Sequence, residues 1–501
     1  MAHHFVANPI PTRLLMWQRV REYAVPPSMI ETSAARRAVG DWAGACAAAR
    51  IDVDLDLRAV RDRHGTDVLH RLRADLRRLA PDLLRWHMPR IAPDGRLRPG
   101  LTLALARYPR SGAPPLQLVV RTPPAWADAG QRMSLALWDG SGNGCPEGPA
   151  PPPPRSRPHP HPHPHPDRRF RLDLHRHLWD AARSGELAWR CGAGDASFGA
   201  PPRGVADESG RPVAAEWAVE RWAAEAESLL RTEGCPRGAF TVRLGARSRA
   251  VLELVAPDDS HAPTLRPLPE PLPPQEVAAL AVLPEAAARV LPDLELLRAG
   301  LVAAGRLHPL VAPALAAYGR EAVAGPSVPE PGDPHRVECR GEVHRIALRD
   351  GVLTAVDHDP DQLRREELLI ALGGPPLPCL RAIDAVHRSP QALPAVRERL
   401  GHGDVAGALA VVEGLLGPAA VLRDGPLRTE LETAASRRVD HGLFRAGLVA
   451  VHPAAGPAGS GSASDGGRAD SGHRPRLGRR TPPDLHRKRG SLARPRTGIG
   501  R

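Results

Sequence analysis

The chain is short of several residue types, and each shortage narrows what the protein can be. Among 501 residues, Lys488 is the only lysine, Asn8 and Asn143 are the only asparagines, and aromatic residues make up 3%. The basic residues are therefore almost all arginine, which together with abundant alanine, glycine and proline indicates a gene rich in G+C codons. The arginine excess reflects codon usage at least as much as a need to bind anions.

Closely spaced cysteines are absent. The six cysteines lie 40 residues or more apart, and no C-x-x-C pair or zinc-knuckle spacing occurs. Scattered thiols of this kind predict single cysteines in a reducing compartment. They are Cys46, Cys145, Cys191, Cys235, Cys339 and Cys379.

Long apolar runs are also missing. No stretch of about 18 uninterrupted apolar residues occurs, which argues against a membrane-spanning helix. Residues 1–24 lack the apolar core and cleavage site of a signal peptide. We therefore expect a soluble cytoplasmic protein with no membrane partner.

The positive charge is unevenly distributed. The formal net charge is +12, and residues 452–501 contribute eleven basic against three acidic residues. The rest of the chain is close to neutral, so it lacks the broad basic field of a dedicated nucleic-acid-binding domain. Any nucleic-acid binding is expected to be weak and to come from this basic, disordered tail.

Two helical hairpins are the most informative pattern. Residues 28–51 predict two helices that meet at Gly40-Asp41, with Ser28 and Glu31 spaced as a capping box. Residues 393–416 repeat the arrangement around Gly403-Asp404.

The residues at these junctions carry a family resemblance. Gly40-Asp41-Trp42 with Ala45, and Gly403-Asp404-Val405 with Ala408, resemble the junction between the helices of a tetratricopeptide repeat. Such repeats occur as adjacent copies about 34 residues long, whereas these two hairpins stand far apart. We expect helical hairpins within a mixed core, and the resemblance implies peptide binding as the alternative.

The predicted fold class is α+β. N-terminal helices precede short apolar runs at 101–107, 116–121 and 133–138, which predict an antiparallel meander. Residues 186–191 and 170–174 also have strand-like character. A mostly helical second domain follows, with a small three-stranded meander over 336–356.

Composition suggests the domain boundaries. The first domain spans 1–256 and contains a disordered Pro/His-rich insertion at 145–167; residues 257–274 predict a proline-rich linker. A mainly helical domain occupies 275–451, and the disordered tail covers 452–501.

Asp357-His358-Asp359 is the candidate catalytic site, placed between a predicted strand and a predicted helix. Carboxylates beside a histidine can orient it as a general base or act as metal ligands, and His344 on the neighbouring strand could approach it. The simpler interpretation is that Asp359 caps a helix and His358 is exposed. No Walker loop, G-x-S-x-G or H-E-x-x-H motif is present.

Two groups of histidines are weak metal-site candidates. On a strand, His175 and His177 would point to one side, a spacing that zinc sites use. Without a third ligand, we expect both to face solvent. The second group alternates with proline in a low-complexity run, where repeat expansion explains it without a metal: His159, His161, His163 and His165.

The sequence leaves activity, substrate, partner and oligomeric state open. The composition resembles that of proteins from high-G+C Gram-positive bacteria, which implies no activity. We expect a protein-interaction or adaptor protein with no cofactor. The alternative is a hydrolase built around Asp357, His358 and Asp359.

Overall fold

A computed structural model gives the architecture of the chain. Two compact units are present: the second spans Glu321–Gly442, and the remaining residues are assigned to the first. Each unit combines helices with β-sheet, which confirms the α+β class. The structure describes residues 10–110, 112–123, 130–140, 165–191, 214, 216–235, 237–246, 248–255, 263–268, 272–318, 336–339, 341–349, 352–375, 377–381, 383, 392–416 and 424–445.

The described helices of the first unit are numbered in chain order. They are α1 Thr12–Tyr23, α2 Pro27–Ala38, α3 Trp42–Ala48, α4 Leu57–Arg78, α5 Pro81–His87, α6 Glu186–Arg190, α7 Trp222–Thr232, α8 Pro274–Ala279, α9 Glu285–Ala288, α10 Pro292–Arg298 and α11 Ala312–Leu315. Among the helices placed by the structure in either unit, none has the length and apolar character needed to cross a membrane.

The described strands of the first unit are numbered in the same way. They are β1 Ile51–Asp54, β2 Arg90–Ile91, β3 Arg96–Leu97, β4 Thr102–Arg110, β5 Ala113–Arg121, β6 Met133–Trp138, β7 Gly238–Arg243, β8 Arg249–Val255, β9 Thr264–Pro267 and β10 Ala281–Val282.

The first sheet confirms the predicted meander and adds a strand to it. Its order is β1-β6-β5-β4, with β4, β5 and β6 antiparallel and β1 parallel to β6. Leu103, Leu118 and Leu135 are fully buried beneath the helices. Val119 and Ala136, on the opposite face, are buried as well, so both faces of this sheet are covered.

The junction between α2 and α3 forms as expected. Gly40 has φ +78°, a left-handed conformation that suits glycine, and Asp41 caps α3 by accepting from the Gly44 amide at 2.8 Å. The predicted capping box at Ser28 and Glu31 is wrong. Helix α2 begins at Pro27, before Ser28, and no side chain caps it. Proline at the first helical position lacks the amide that a cap would satisfy.

The second sheet runs across the predicted domain boundary. Its order is β10-β7-β8-β9. Strand β9, within the segment expected to be a linker, pairs with β8, and β10 pairs in parallel with β7. The boundary expected at 256 therefore lies inside this sheet. The expectation rests on proline content, but proline is tolerated in an edge strand such as β9.

Two further expectations for local structure need correction. Residues 186–190 form helix α6 instead of a strand, with Leu187 buried. Residues 170–177 do not form a strand: backbone turns run from Leu174 to Arg171 and from His175 to Leu172, and a 3-10 turn covers Arg176–Leu178.

The second unit contains a three-stranded meander followed by helices. Its strands and helices are β11 Arg336–Cys339, β12 Glu342–Arg349, β13 Val352–Ala355, α12 Pro360–Ala371, α13 Ala392–Gly401, α14 Val405–Leu416 and α15 Pro426–Arg445. The order β11-β12-β13 is antiparallel, as expected.

The second Gly-Asp junction joins α13 to α14. Gly403 has φ +79°, Asp404 accepts from the Gly407 amide at 3.2 Å, and Ala408 is fully buried. Ala408 lies in a small cluster with Val396, a residue of α13. The small side chain allows the two helices to pack closely.

Candidate metal centre

The meander of the second unit positions the candidate residues. His344 lies on β12 opposite Val337, and Cys339 ends β11. The chain turns after β13, where the His358 amide donates to the Ala355 carbonyl at 3.3 Å. This turn brings His358 back beside β12, so that two strands and a turn converge on one place.

The two carboxylates of the predicted catalytic site have structural roles. Asp357 accepts from the Arg345 amide at 2.7 Å and from the Arg345 guanidinium at 2.8 Å, and this guanidinium lowers the pKa of Asp357 to about 2. Asp359 caps α12 by accepting from the Asp361 amide at 3.1 Å. Both carboxylates therefore stabilise the turn, and neither of these contacts involves His358, which lies between them in sequence.

His358 is buried, which corrects the expectation that it is exposed. Its side chain retains 8% exposure, and its ring stacks on that of His344 with centroids 4.1 Å apart and planes at 15°. Within the described part of the chain, the buried Nε2 of His358 and Nδ1 of His344 have no hydrogen-bond partner. Buried nitrogens without partners are costly unless something binds them.

Two cysteines complete the cluster with His358. Cys339 and Cys379 are fully buried free thiols, and their sulfurs and a ring nitrogen of His358 all lie within 4.8 Å of one another. Burial, together with the hydrogen bond and the charge of Cys339, raises the pKa of the Cys379 thiol to about 11. The expectation of single, scattered thiols is therefore wrong for this pair.

The donor set fits a borderline-soft metal ion. Two thiolates and an imidazole are ligands that Zn²⁺ uses, with Zn–S distances of about 2.3 Å, which place two sulfurs about 3.8 Å apart in a tetrahedral site. Because the donor atoms lie within 4.8 Å of one another, binding would need a contraction of at most about 1 Å. His344 stacks on His358 but is not one of the residues whose ligand atoms converge.

The surrounding core gives a physical reason for such an ion. The cluster of buried apolar residues here consists of Cys339, Ala355, Leu377 and Cys379 among the side chains that the structure describes. So small a core stabilises a fold weakly, and small domains commonly compensate with a bound metal.

The histidines that the sequence suggested as metal ligands do not form a comparable cluster among the described residues. His175 and His177 are both buried, with ring centroids 5.8 Å apart, which corrects the solvent-facing expectation. In the part of the chain described here, no cysteine, histidine or carboxylate completes a cluster with both. His165 packs edge-on against Trp138 at 5.7 Å, whereas His159, His161 and His163 lie outside the described residues.

Sequence reasoning selected His358 and His344 but missed the cysteines. Cys339 stands 19 positions before His358 and Cys379 stands 21 positions after it, so no short motif connects them. The sequence contained only two hints of the site. Cys339 lies at the end of a predicted strand, and Cys379 lies two positions after Leu377. Comparison with known protein families, characterised proteins and solved structures found no match for this chain.

Proposed function

We propose that the second unit binds one Zn²⁺ ion through Cys339, His358 and Cys379, and that the ion holds together a protein-interaction module. The observation that carries the proposal is the convergence of three buried donor atoms within 4.8 Å from three separate segments of the chain. Cysteines bind a metal only when they are not oxidised to a disulfide, so the proposal is consistent with a reducing compartment such as the cytoplasm.

The interaction role is supported by an apolar surface formed by the last turns of α12 and the residue that follows it. Leu368 and Leu372 are 65% and 85% exposed and lie one helical turn apart, with Leu369 and Ile370 also exposed beside them. Adjacent exposed aliphatic side chains commonly mark a surface that contacts another protein. Helix α12 begins at the turn that carries His358, so an ion would fix the start of this helix.

The hydrolase alternative receives less support. Asp357 is held by Arg345 and Asp359 caps a helix, so neither orients His358 as a base. A cysteine nucleophile would need an accessible thiolate, whereas Cys339 and Cys379 are fully buried. Weak nucleic-acid binding by residues 452–501 stays a prediction, since that segment lies outside the described residues.

Metal analysis of the purified full-length protein tests the zinc site. We expect about one zinc per chain, lost in Cys339→Ser, Cys379→Ser and His358→Gln. Cys235→Ser is the matched control, because Cys235 is exposed and is not one of the three converging residues. Equal zinc contents in the control and in the Cys339→Ser, Cys379→Ser double variant would exclude the site.

The interaction role needs a separate experiment. Affinity capture with the intact protein should retain a partner that is lost in a Leu368→Asp, Leu372→Asp variant. Val39→Asp, at a position 79% exposed in the first unit, is the control for a general effect of surface charge. Retention by the α12 variant equal to that of the unmodified protein would remove α12 from the interaction surface.

A further inference from the structure

Helix α4 is divided at Gly65, and the part that follows has one covered face and one open face. Gly65 has φ 86° and ψ 171°, outside the helical range. After it, Leu69, Leu72 and Leu76 recur at helical spacing and are buried. Residues 66–78, the outer segment of α4, are therefore a helix of about 20 Å whose apolar face packs on the core and whose other face meets solvent.

The open face of the outer segment is basic. Arg73 and Arg77 lie one helical turn apart, with His70 one turn before them and Arg71 beside them, and all four are exposed. These four residues are called the basic stripe below. Asp67 is the only exposed carboxylate on the outer segment. Three arginines against one aspartate give this face a positive potential.

The side chains of the basic stripe have no internal partner. Among the residues that the structure describes, none of the four side chains forms an ion pair or a hydrogen bond. Arginines on other helices do form ion pairs: Arg231 pairs with Glu227, and Arg428 pairs with Glu432, each one helical turn away. A preference for arginine codons adds arginines throughout the chain, so it does not explain why the stripe lacks carboxylates.

The residue types around the basic stripe discriminate between acidic partners. A helix that lies in a membrane surface inserts its apolar face, whereas the apolar face of the outer segment is buried in the protein core. A protein partner commonly binds around exposed aromatic or large aliphatic side chains, and the exposed positions of the outer segment include none. Phosphate groups require only positively charged donors. The composition of this face therefore favours a nucleic acid.

Among nucleic acids, the helix favours duplex DNA. Single strands bind where bases stack on aromatic side chains, and α4 contains no Phe, Trp or Tyr. The deep, narrow major groove of duplex RNA does not admit side chains, whereas the major groove of DNA is about 12 Å wide and admits an α-helix. We propose that the basic stripe of α4 binds double-stranded DNA through its phosphates, independently of the base sequence and of the zinc site.

Binding of the full-length protein to a short, fluorescently labelled DNA duplex at a series of salt concentrations tests this proposal. We expect the Arg73→Ala, Arg77→Ala double variant to raise the dissociation constant about tenfold. The slope of log affinity against log salt should fall by about two, because two phosphate contacts are lost. A second duplex of unrelated sequence should bind the unmodified protein equally well.

The matched control is the Arg237→Ala, Arg306→Ala double variant, which removes the same net charge. Both arginines are exposed on other elements of the first unit, and neither side chain forms an ion pair or hydrogen bond among the described residues. The control should leave the dissociation constant nearly unchanged. Equal weakening in the two double variants, unchanged binding in Arg73→Ala, Arg77→Ala, or no binding at low salt would overturn the proposal. Tighter binding to single-stranded DNA or to vesicles containing phosphatidylserine would overturn the assignment to duplex DNA.

Discussion

At the scale of single residues, the first unit depends on a buried ion pair. Arg21 on α1 donates to both oxygens of Asp293 at 2.8 and 2.7 Å and to the Trp86 carbonyl at 2.7 Å. Asp293 is fully buried and also accepts from the Trp86 indole at 3.1 Å. Burial lowers the pKa of Arg21, and the attraction of Asp293 opposes this effect.

Removing one partner should cost far more than the pair contributes in net stability. We expect Asp293→Ala to lower the free energy of unfolding by about 3–5 kcal/mol, because Arg21 would stay buried without its counter-charge. Urea denaturation measures the difference. Glu227→Ala, which breaks a helical pair with the exposed Arg231, should cost less than about 1 kcal/mol. Similar losses in the two variants would contradict this prediction.

His175 and His177 should make the first unit sensitive to acid. Burial lowers the pKa of both well below the ordinary value, and the nearby charges of Arg190 and Arg221 act in the same direction. Glu225 lies 3.9 Å from His175 but does not reverse the effect. The unfolded chain therefore binds protons that the folded chain does not.

The sign of the pH dependence follows from these lowered pKa values. Stability is fully present above about pH 6.5 and falls as the pH drops below it, by up to about 1.4 kcal/mol per pH unit for each histidine. Melting curves at a series of pH values should show a shallower slope in His177→Gln. His70→Gln, at an exposed position on α4, should not change the slope; identical slopes in all three proteins would reject the prediction.

At the scale of elements, the hairpin of α13 and α14 depends on close packing. Ala408 is fully buried in the cluster that holds Val396 and Val412. Its neighbour Ala406 on the same helix is exposed. The two alanines therefore provide a matched test of the helix contact.

A charge at the buried position should destabilise the second unit. We expect Ala408→Glu to cost at least about 2 kcal/mol, because an unpaired carboxylate would enter the contact, and Ala406→Glu to cost less than about 0.5 kcal/mol. Thermal unfolding followed by circular dichroism compares them. Equal melting temperatures would show that the contact contributes nothing to stability.

The elements predicted correctly are those whose structure is determined by residues close together in the sequence. Strands β4, β5 and β6 follow apolar alternation, and the two hairpins follow their Gly-Asp junctions. Apolar and polar residues also alternate over 170–177. Distant segments bury these side chains on several sides, so the alternation here does not indicate a strand. The pairing of β9 and the meeting of Cys339 with Cys379 depend on contacts across many residues, which no local pattern records.

At the scale of the whole molecule, the two units differ in how their cores are built. The first unit buries Trp86, Trp179 and Trp222 almost completely. The second unit has smaller clusters around Cys339 and around Ala408 among its described residues. The zinc proposal therefore concerns the unit with the smaller cores.

Removal of zinc by a chelator should affect the second unit and leave the first unit unchanged. We expect a zinc chelator to increase hydrogen exchange at described amides of 336–383 and to leave amides of β5 and β6 protected. Exchange measured by mass spectrometry on the intact protein provides both readings in one sample. Unchanged exchange over 336–383 after verified loss of zinc would show that the ion does not support the fold.

Helix α1 has a further consequence for how the protein is made. Its side chains bind residues that come much later in the chain: Arg21 binds Asp293, and Gln18 donates to the Leu301 carbonyl at 3.0 Å. At ordinary translation rates, about 15–50 s pass before the ribosome has added those residues. During that interval Leu14, Met16 and Val20, which are buried in the folded unit, lack the segments that cover them. We therefore expect the first helix of the nascent chain to expose apolar surface of the kind that chaperones bind.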